Sequence, residues 1–221
     1  LGLEPILLLR GEPGEAVGNY FLDRLLGAQL HFCTADEYRD SRDKMMKDIA
    51  RKNQEKSPYI IPEGGSNGLG TFGYIHATRE IEQIFDAVFV AVGSGGTLAG
   101  LALGEPIGPI KGVAVCDDAP FFESAVRRMA AEASISGAPA LQDPGEAWSV
   151  LEGYQGPGYG IATPQVWEAI RLVARLEGVF LDPVYSGKAM HAMLSELSAG
   201  RVGGRVLFWH TGGTFGMMGR G

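Results

Sequence analysis

Residues 89–100 read FVAVGSGGTLAG. A run that is apolar at every position breaks into glycines and hydroxyls, then passes straight into small helix-forming residues. A strand without a polar position is one buried on both faces, which points to a parallel sheet covered by helices. The loop after it, Gly93-Ser94-Gly95-Gly96-Thr97, lets backbone N–H groups approach an anion closely. The N-terminus of the next helix adds partial positive charge. The spacing departs from GxGxxG, because position 98 is Leu, and from GxxxxGK[ST], because no Lys follows the loop. A single phosphate ester is therefore favoured over a dinucleotide or a nucleoside triphosphate.

Outward from that stretch the same alternation repeats. Short apolar runs at 6–9, 30–33, 59–61, 87–92, 110–116, 178–182 and 205–210 predict strands. Amphipathic patterns at 19–26, 35–52, 69–85, 119–133, 164–176 and 187–198 predict helices. Asn19 is a candidate N-cap, and Thr163-Pro164 pairs a capping hydroxyl with a proline in the first turn. Strands alternating with helices predict an α/β fold, with open, mostly parallel, twisted sheets covered on both faces. The charged stretch 39–56, ending in Ser57-Pro58, sets the internal boundary and divides 1–57 from 58–221.

The bulk composition narrows the function. Of 221 residues, 45% are hydrophobic and 20% charged, the balance of a globular domain rather than a disordered one. Nineteen Lys and Arg against 26 Asp and Glu leave a net charge of −7, which argues against nucleic-acid or anionic-membrane partners. Cys33 and Cys116 set no disulfide framework and suit a reducing cytoplasm. His31, His76, His191 and His210 have no HxxxH spacing, and no metal site is expected. No apolar run reaches the ~20 residues of a membrane span. The opening LGLEPILLLRGEPG lacks the features of a signal peptide.

Three further clusters carry polar, glycine-rich tips. They are Gly156-Pro157-Gly158-Tyr159-Gly160, Leu181-Asp182-Pro183-Val184-Tyr185-Ser186-Gly187-Lys188, and Trp209-His210-Thr211-Gly212-Gly213-Thr214. In a parallel sheet, tips after strands gather on one edge, beyond the carboxyl ends where ligands bind.

Together with Ile61-Pro62-Glu63-Gly64-Gly65-Ser66-Asn67, these stretches resemble, in order and over essentially the whole chain, one family. It is the pyridoxal-phosphate enzymes of the tryptophan-synthase-β type (fold type II), and within it the D-cysteine desulfhydrase and 1-aminocyclopropane-1-carboxylate deaminase branch. The resemblance implies pyridoxal 5′-phosphate as cofactor, with Gly93, Ser94, Gly95, Gly96 and Thr97 as its phosphate cup. Tyr159 and Tyr185 would act on the substrate side, positioning it or relaying a proton. Thr211, with Ser186 as the competing candidate, would meet the pyridine nitrogen. A hydroxyl there holds the ring less protonated than a carboxylate would, which weakens the electron sink and favours elimination.

Two departures matter. The deaminase branch typically has Glu after the equivalent of Tyr185, where this chain has Ser186; that favours β-elimination of a thiol-bearing amino acid over cyclopropane opening. None of Lys44, Lys47, Lys52, Lys56, Lys111 and Lys188 sits in the context of the family's cofactor-anchoring lysine. That lysine lies upstream of "LGL…LRGE", so the chain is expected to be N-terminally truncated and inactive alone. Lys188 is expected to cap or pack on the opening turn of a helix. Residues 1–57 would be the remainder of the small domain and 58–221 most of the large one.

The expected function is therefore that of a lyase converting D-cysteine to pyruvate, ammonia and sulfide, acting in the cytoplasm as a homodimer on a small amino-acid substrate. The alternatives are 1-aminocyclopropane-1-carboxylate deamination, L-cysteate sulfo-lysis, a non-catalytic cofactor-binding protein, or an unrelated domain for another phosphorylated metabolite.

Overall fold

The computed structural model describes residues 2–218, in two compact units. One runs through Ile61 and takes in Met218; the other is Pro62–Met217. The sequence reading places the boundary after 57.

In the first unit, β1 (Ile6–Arg10) pairs in parallel with β2 (Gln29–Cys33), Ile6 opposite Gln29. Between them lies α1 (Gly18–Leu25), whose N-cap is Val17 with no side-chain cap bond, so Asn19 falls inside the first turn rather than capping it. Then comes α2 (Ala35–Lys52), opened by a capping box. Thr34 Oγ1 accepts from Glu37 N at 3.2 Å, and Glu37 Oε2 accepts from Thr34 N at 2.8 Å. Among the described residues of this unit only Cys33 is buried.

The second unit contains α3 (Gly68–Thr78), β3 (Ala87–Val92), α4 (Gly96–Leu103), β4 (Ile110–Ala114), α5 (Ala119–Ser134), β5 (Trp148–Leu151), α6 (Pro164–Glu177), α7 (Ser186–Ser198) and β6 (Val206–Trp209). Its four strands are all parallel, in the order β5-β4-β3-β6. The chain proceeds from β3 through β4 to β5 in one direction, then returns to place β6 on the other side of β3. The sheet thus reverses its order at β3, and the crevice between the ends of β3 and β6 is the switch point where α/β sheets bind ligands.

The apolar β3 divides its side chains between two cores, as a strand buried on both faces must. Val88, Val90 and Val92 pack with Leu98, Leu101, Phe122, Met129 and Trp148. Ala87 and Phe89 pack with Val113, Ala189 and Ala192 of the opposite face. Helix starts follow local chemistry: Asp118 Oδ1 accepts from Phe121 N at 2.9 Å, and Thr163 Oγ1 from Val166 N at 3.4 Å.

Three expectations are corrected, and one strand appears that the sequence patterns do not predict. Residues 59–61 form no strand: Tyr59 and Ile61 are 70% and 64% exposed, and the prolines on either side donate no ladder bond. The helix expected over 69–85 ends at Thr78, where Thr78 Oγ1 turns back to Ile75 O and accepts from Glu105 N. Residues 178–182 are not a strand either. Gly178 closes α6 at φ +68°, and the Asp182 amide is taken locally by Ser186 Oγ at 2.8 Å. Conversely, β5 was not anticipated. It is four residues long and pairs only with β4, with Trp148 fully buried and its indole N–H donating to Gln142 O at 2.8 Å.

Candidate functional site

The loop Gly93–Thr97 leaves the carboxyl end of β3, and Gly95, at φ +89°, turns the chain into α4. Among the described residues, the amides of Ser94, Gly95, Gly96 and Thr97 donate to no acceptor within the protein. First-turn amides have no intrahelical partner. Four N–H donors and a helix N-terminus at a sheet switch point form an anion cradle.

Packing explains why this loop needs glycine. A Cβ at Gly93 would fall 2.5 Å from Tyr185 Cε1, and one at Gly96 would fall 2.6 Å from Ser66 Oγ. Ser66 Oγ is 2.6 Å from Ser94 Oγ, so the turn at 62–67 buttresses the cradle. Ser66 is 8% exposed and was not singled out from sequence. Its signal was the GGSN stretch, where Asn67 Oδ1 caps α3 by accepting from Gly70 N at 2.8 Å.

Tyr185 follows directly. Its hydroxyl is hydrogen-bonded to that of Tyr159, and the two rings meet edge to face with centroids 6.0 Å apart. Burial, reinforced by the Tyr159 hydroxyl, pushes the Tyr185 phenol well above its ordinary range. Tyr185 is therefore a neutral phenol at physiological pH, able to donate a hydrogen bond. Sequence reasoning named both tyrosines, and the fold brings them together from positions 26 residues apart.

Asp182 organises the turn that carries Tyr185. Its Oδ2 accepts from Val184 N at 2.8 Å and Tyr185 N at 2.9 Å; its Oδ1 accepts from Ser186 N at 2.8 Å and Ser186 Oγ at 2.6 Å. Ser186 is buried and its hydroxyl is committed to this turn, both donating to the carboxylate and accepting from the Asp182 amide. Thr211 lies two residues beyond Trp209, the partner of Val90 on β3, so it stands at the same sheet edge as the cradle. It is exposed, and among the described residues its hydroxyl has no partner. Gly213 nearby approaches Asp182 so closely that a Cβ would lie 2.7 Å from Oδ1.

Two more groups face this edge. Cys116, just past β4, points its thiol at Gly93 O at 3.8 Å, and burial pushes the thiol up to about 11. Lys188 does not cap α7, as expected from sequence; its Nζ donates to backbone carbonyls of other segments. Among the described residues no group of three or more His, Cys, Asp and Glu side chains is arranged to hold a metal ion, and no helix is long and apolar enough to cross a membrane.

Comparison with known proteins follows the same lines. The family model described as pyridoxal-phosphate dependent enzyme matches residues 6–212. The Arabidopsis thaliana mitochondrial bifunctional D-cysteine desulfhydrase/1-aminocyclopropane-1-carboxylate deaminase is 37% identical over 95% of this chain. The chain spans 56% of that relative's length. A Thermotoga maritima protein carrying the name "Putative 1-aminocyclopropane-1-carboxylate deaminase" is 40% identical over 98% of the chain, which spans 71% of it. Among solved structures, that of an ACC deaminase homologue superposes with a TM-score of 0.79 at 33% identity, covering 97% of this chain and 67% of that one. A fungal L-serine ammonia-lyase from Rhizomucor miehei, at 17% identity, a TM-score of 0.53, and coverage of 94% of this chain and 69% of its own, shares the fold.

Proposed function

The chain belongs to the pyridoxal-phosphate-dependent enzyme family, and on that premise we propose that its site serves a lyase of the D-cysteine desulfhydrase type. The reaction is D-cysteine plus water to pyruvate, ammonia and hydrogen sulfide. The carrying observation is the set of four amides at 94–97 that have no partner among the described residues, in a loop where a Cβ would crowd Tyr185 at Gly93 and Ser66 at Gly96 and where Gly95 takes φ +89°. That cradle suits a phosphate ester, and these amides would hold the phosphate of the cofactor.

When bound, pyridoxal phosphate supplies the electron sink for loss of the α-proton and the β-substituent. The chain's own residues do the rest. Thr211 is the residue that would face the ring nitrogen, since among the described residues its hydroxyl is uncommitted while that of Ser186 belongs to Asp182. Tyr185, kept protonated by burial and by Tyr159, donates toward the departing sulfur or holds the substrate carboxylate. The position after Tyr185 carries no acid, which supports elimination over cyclopropane opening. The relatives named for 1-aminocyclopropane-1-carboxylate deaminase keep that reaction as the second reading.

We also propose that the 221-residue chain does not turn over alone. Lys44, Lys47, Lys52 and Lys56 are exposed residues of the other compact unit. Lys111 bonds Ser149 Oγ at 3.4 Å within the sheet, and Lys188 is buried and fully bonded. Lys111 stands opposite Phe89 near the start of β4, away from the carboxyl edge, and Lys188 gives its three donors to carbonyls, so neither lysine of the second unit is offered at the cradle for covalent attachment of the cofactor. Homodimer formation and a cytoplasmic site of action belong to this reading.

The test is a titration followed by tryptophan fluorescence. Pyridoxal phosphate is expected to bind, pyridoxal without its phosphate at least about tenfold more weakly, and Gly96→Val not at all. Equal binding of the two compounds would overturn the phosphate cradle. Sulfide released from D-cysteine, against ammonia from 1-aminocyclopropane-1-carboxylate and sulfite from L-cysteate, separates the substrates wherever turnover is found. Sedimentation of the same preparation tests the dimer.

A further inference from the structure

Lys188 takes no part in the chemistry above, yet it is among the largest fully buried side chains. Among the described residues no carboxylate is hydrogen-bonded to its ammonium: Asp182, whose charge favours the charged amine, has its four acceptor contacts filled by residues 184–186. Instead Nζ donates to Val115 O at 3.0 Å, Gln155 O at 2.5 Å and Gly158 O at 3.0 Å. An ammonium has three N–H donors, and here each has one carbonyl. The acceptors come from two separate places, the end of β4 and the glycine loop that carries Tyr159.

Backbone carbonyls converging on a buried positive charge are the arrangement that coordinates a dehydrated monovalent cation. We propose that Lys188 is a tethered internal cation, a positioning residue that clamps the 155–160 loop to the end of β4. Through that clamp it sets Tyr159 against Tyr185. Gly158 O also takes Ile161 N at 3.3 Å, so the ammonium joins the local turn at 158–161 to Gln155 and to the end of β4. A neutral side chain at 188 leaves Val115 O and Gln155 O, among the described residues, with no donor and Gly158 O with Ile161 N alone, a larger penalty than the loss of one hydrogen bond. Burial also lowers the proton affinity of the amine, so the carbonyl dipoles act against a real desolvation cost.

Hydrogen exchange tests this in the 221-residue chain without cofactor or substrate, so the outcome is independent of the functional reading. Lys188→Met and Lys188→Ala are compared with the unsubstituted protein, using the amides of 155, 156 and 158–161 as the readout and β3 amides as the internal reference. Both variants are expected to lose at least about tenfold protection in the loop while β3 keeps its own. In Lys188→Ala, propylammonium chloride, which replaces the missing stem and charge, restores protection; 1-propanol at equal concentration does not. Lys188→Met, whose side chain fills the space, responds to neither. Unchanged loop protection in Lys188→Met, rescue by 1-propanol as effective as by propylammonium, no rescue by either, or equal loss of protection across β3 each overturns the proposal.

Discussion

The Tyr185 ring rests against Gly93 so closely that a single added methyl at 93 would sit 2.5 Å from Cε1 and 3.1 Å from Cδ1. This contact joins the two parts of the site, the amide cradle and the tyrosine pair. The backbone at 93 is not in the left-handed region, so the demand for glycine is steric alone. Gly93→Ala is expected to cost about 1–3 kcal/mol through overpacking. Urea denaturation measures it, and Tyr185→Ala in the same chain should recover part of the loss. Strict additivity of the two substitutions would contradict the contact.

Asp182 holds three amides and one hydroxyl with a single carboxylate. Asp182→Ala leaves buried donors unpaired and should destabilise by about 3 kcal/mol or more, while Ser186→Ala, which removes one member, should cost about 1 kcal/mol. The ratio of the two urea-midpoint shifts checks which residue organises the turn.

Gly100 offers a control outside the site. A Cβ there would meet Tyr74 Cβ at 2.5 Å and Thr71 O at 2.6 Å, where α3 packs on α4. Backbone does not yield as a side-chain tip does, so Gly100→Ala should lose about 2 kcal/mol. Phosphate-ester affinity of the folded fraction should stay unchanged; a tenfold loss would mean that α4 placement and cradle geometry are coupled.

Cys116 gives a pH dependence with a definite sign. Burial raises its thiol from 9.0 to about 11, so the folded state keeps a proton that the unfolded chain releases. The stability from this group is whole below pH 9 and is lost as pH climbs toward about 11. Tyr185 acts in the same direction at higher pH, and Lys188, whose affinity for its proton is lowered, acts in the opposite one. The difference between the chain and Cys116→Ala isolates the thiol: the variant's urea midpoint should fall less between pH 8 and 10.5. At pH 9 the folded thiol, raised to about 11, is roughly one per cent thiolate. Iodoacetamide should therefore modify it far more slowly than a free cysteine.

The two units should also differ in protection. Among the described residues the first buries only Cys33, whereas Val88, Phe89 and Val90 of β3 are fully buried. A two-stranded sheet with so little burial is marginal by itself. Amides of β1 and β2 are expected to exchange at least about a hundredfold faster than those of β3; equal protection would show the first unit to be stabilised by something else.

What the sequence determined by itself was local. The unbroken apolarity of 87–92 dictated burial on both faces, Thr34 with Glu37 and Thr163 with Pro164 fixed where helices begin, and the glycines at 93–96 marked a turn open to an anion. These are properties of neighbouring residues, and neighbours in sequence remain neighbours in the fold. Tertiary structure decided the partnerships. Whether 178–182 or 148–151 joins the sheet depends on which strand edge is available, and β4 offered one to WSVL while Asp182 satisfied its own turn from within. That Ser66 props Ser94, and that Lys188 answers three distant carbonyls instead of its own helix, followed only from the parallel stacking that carries strand ends far apart in sequence to a single edge.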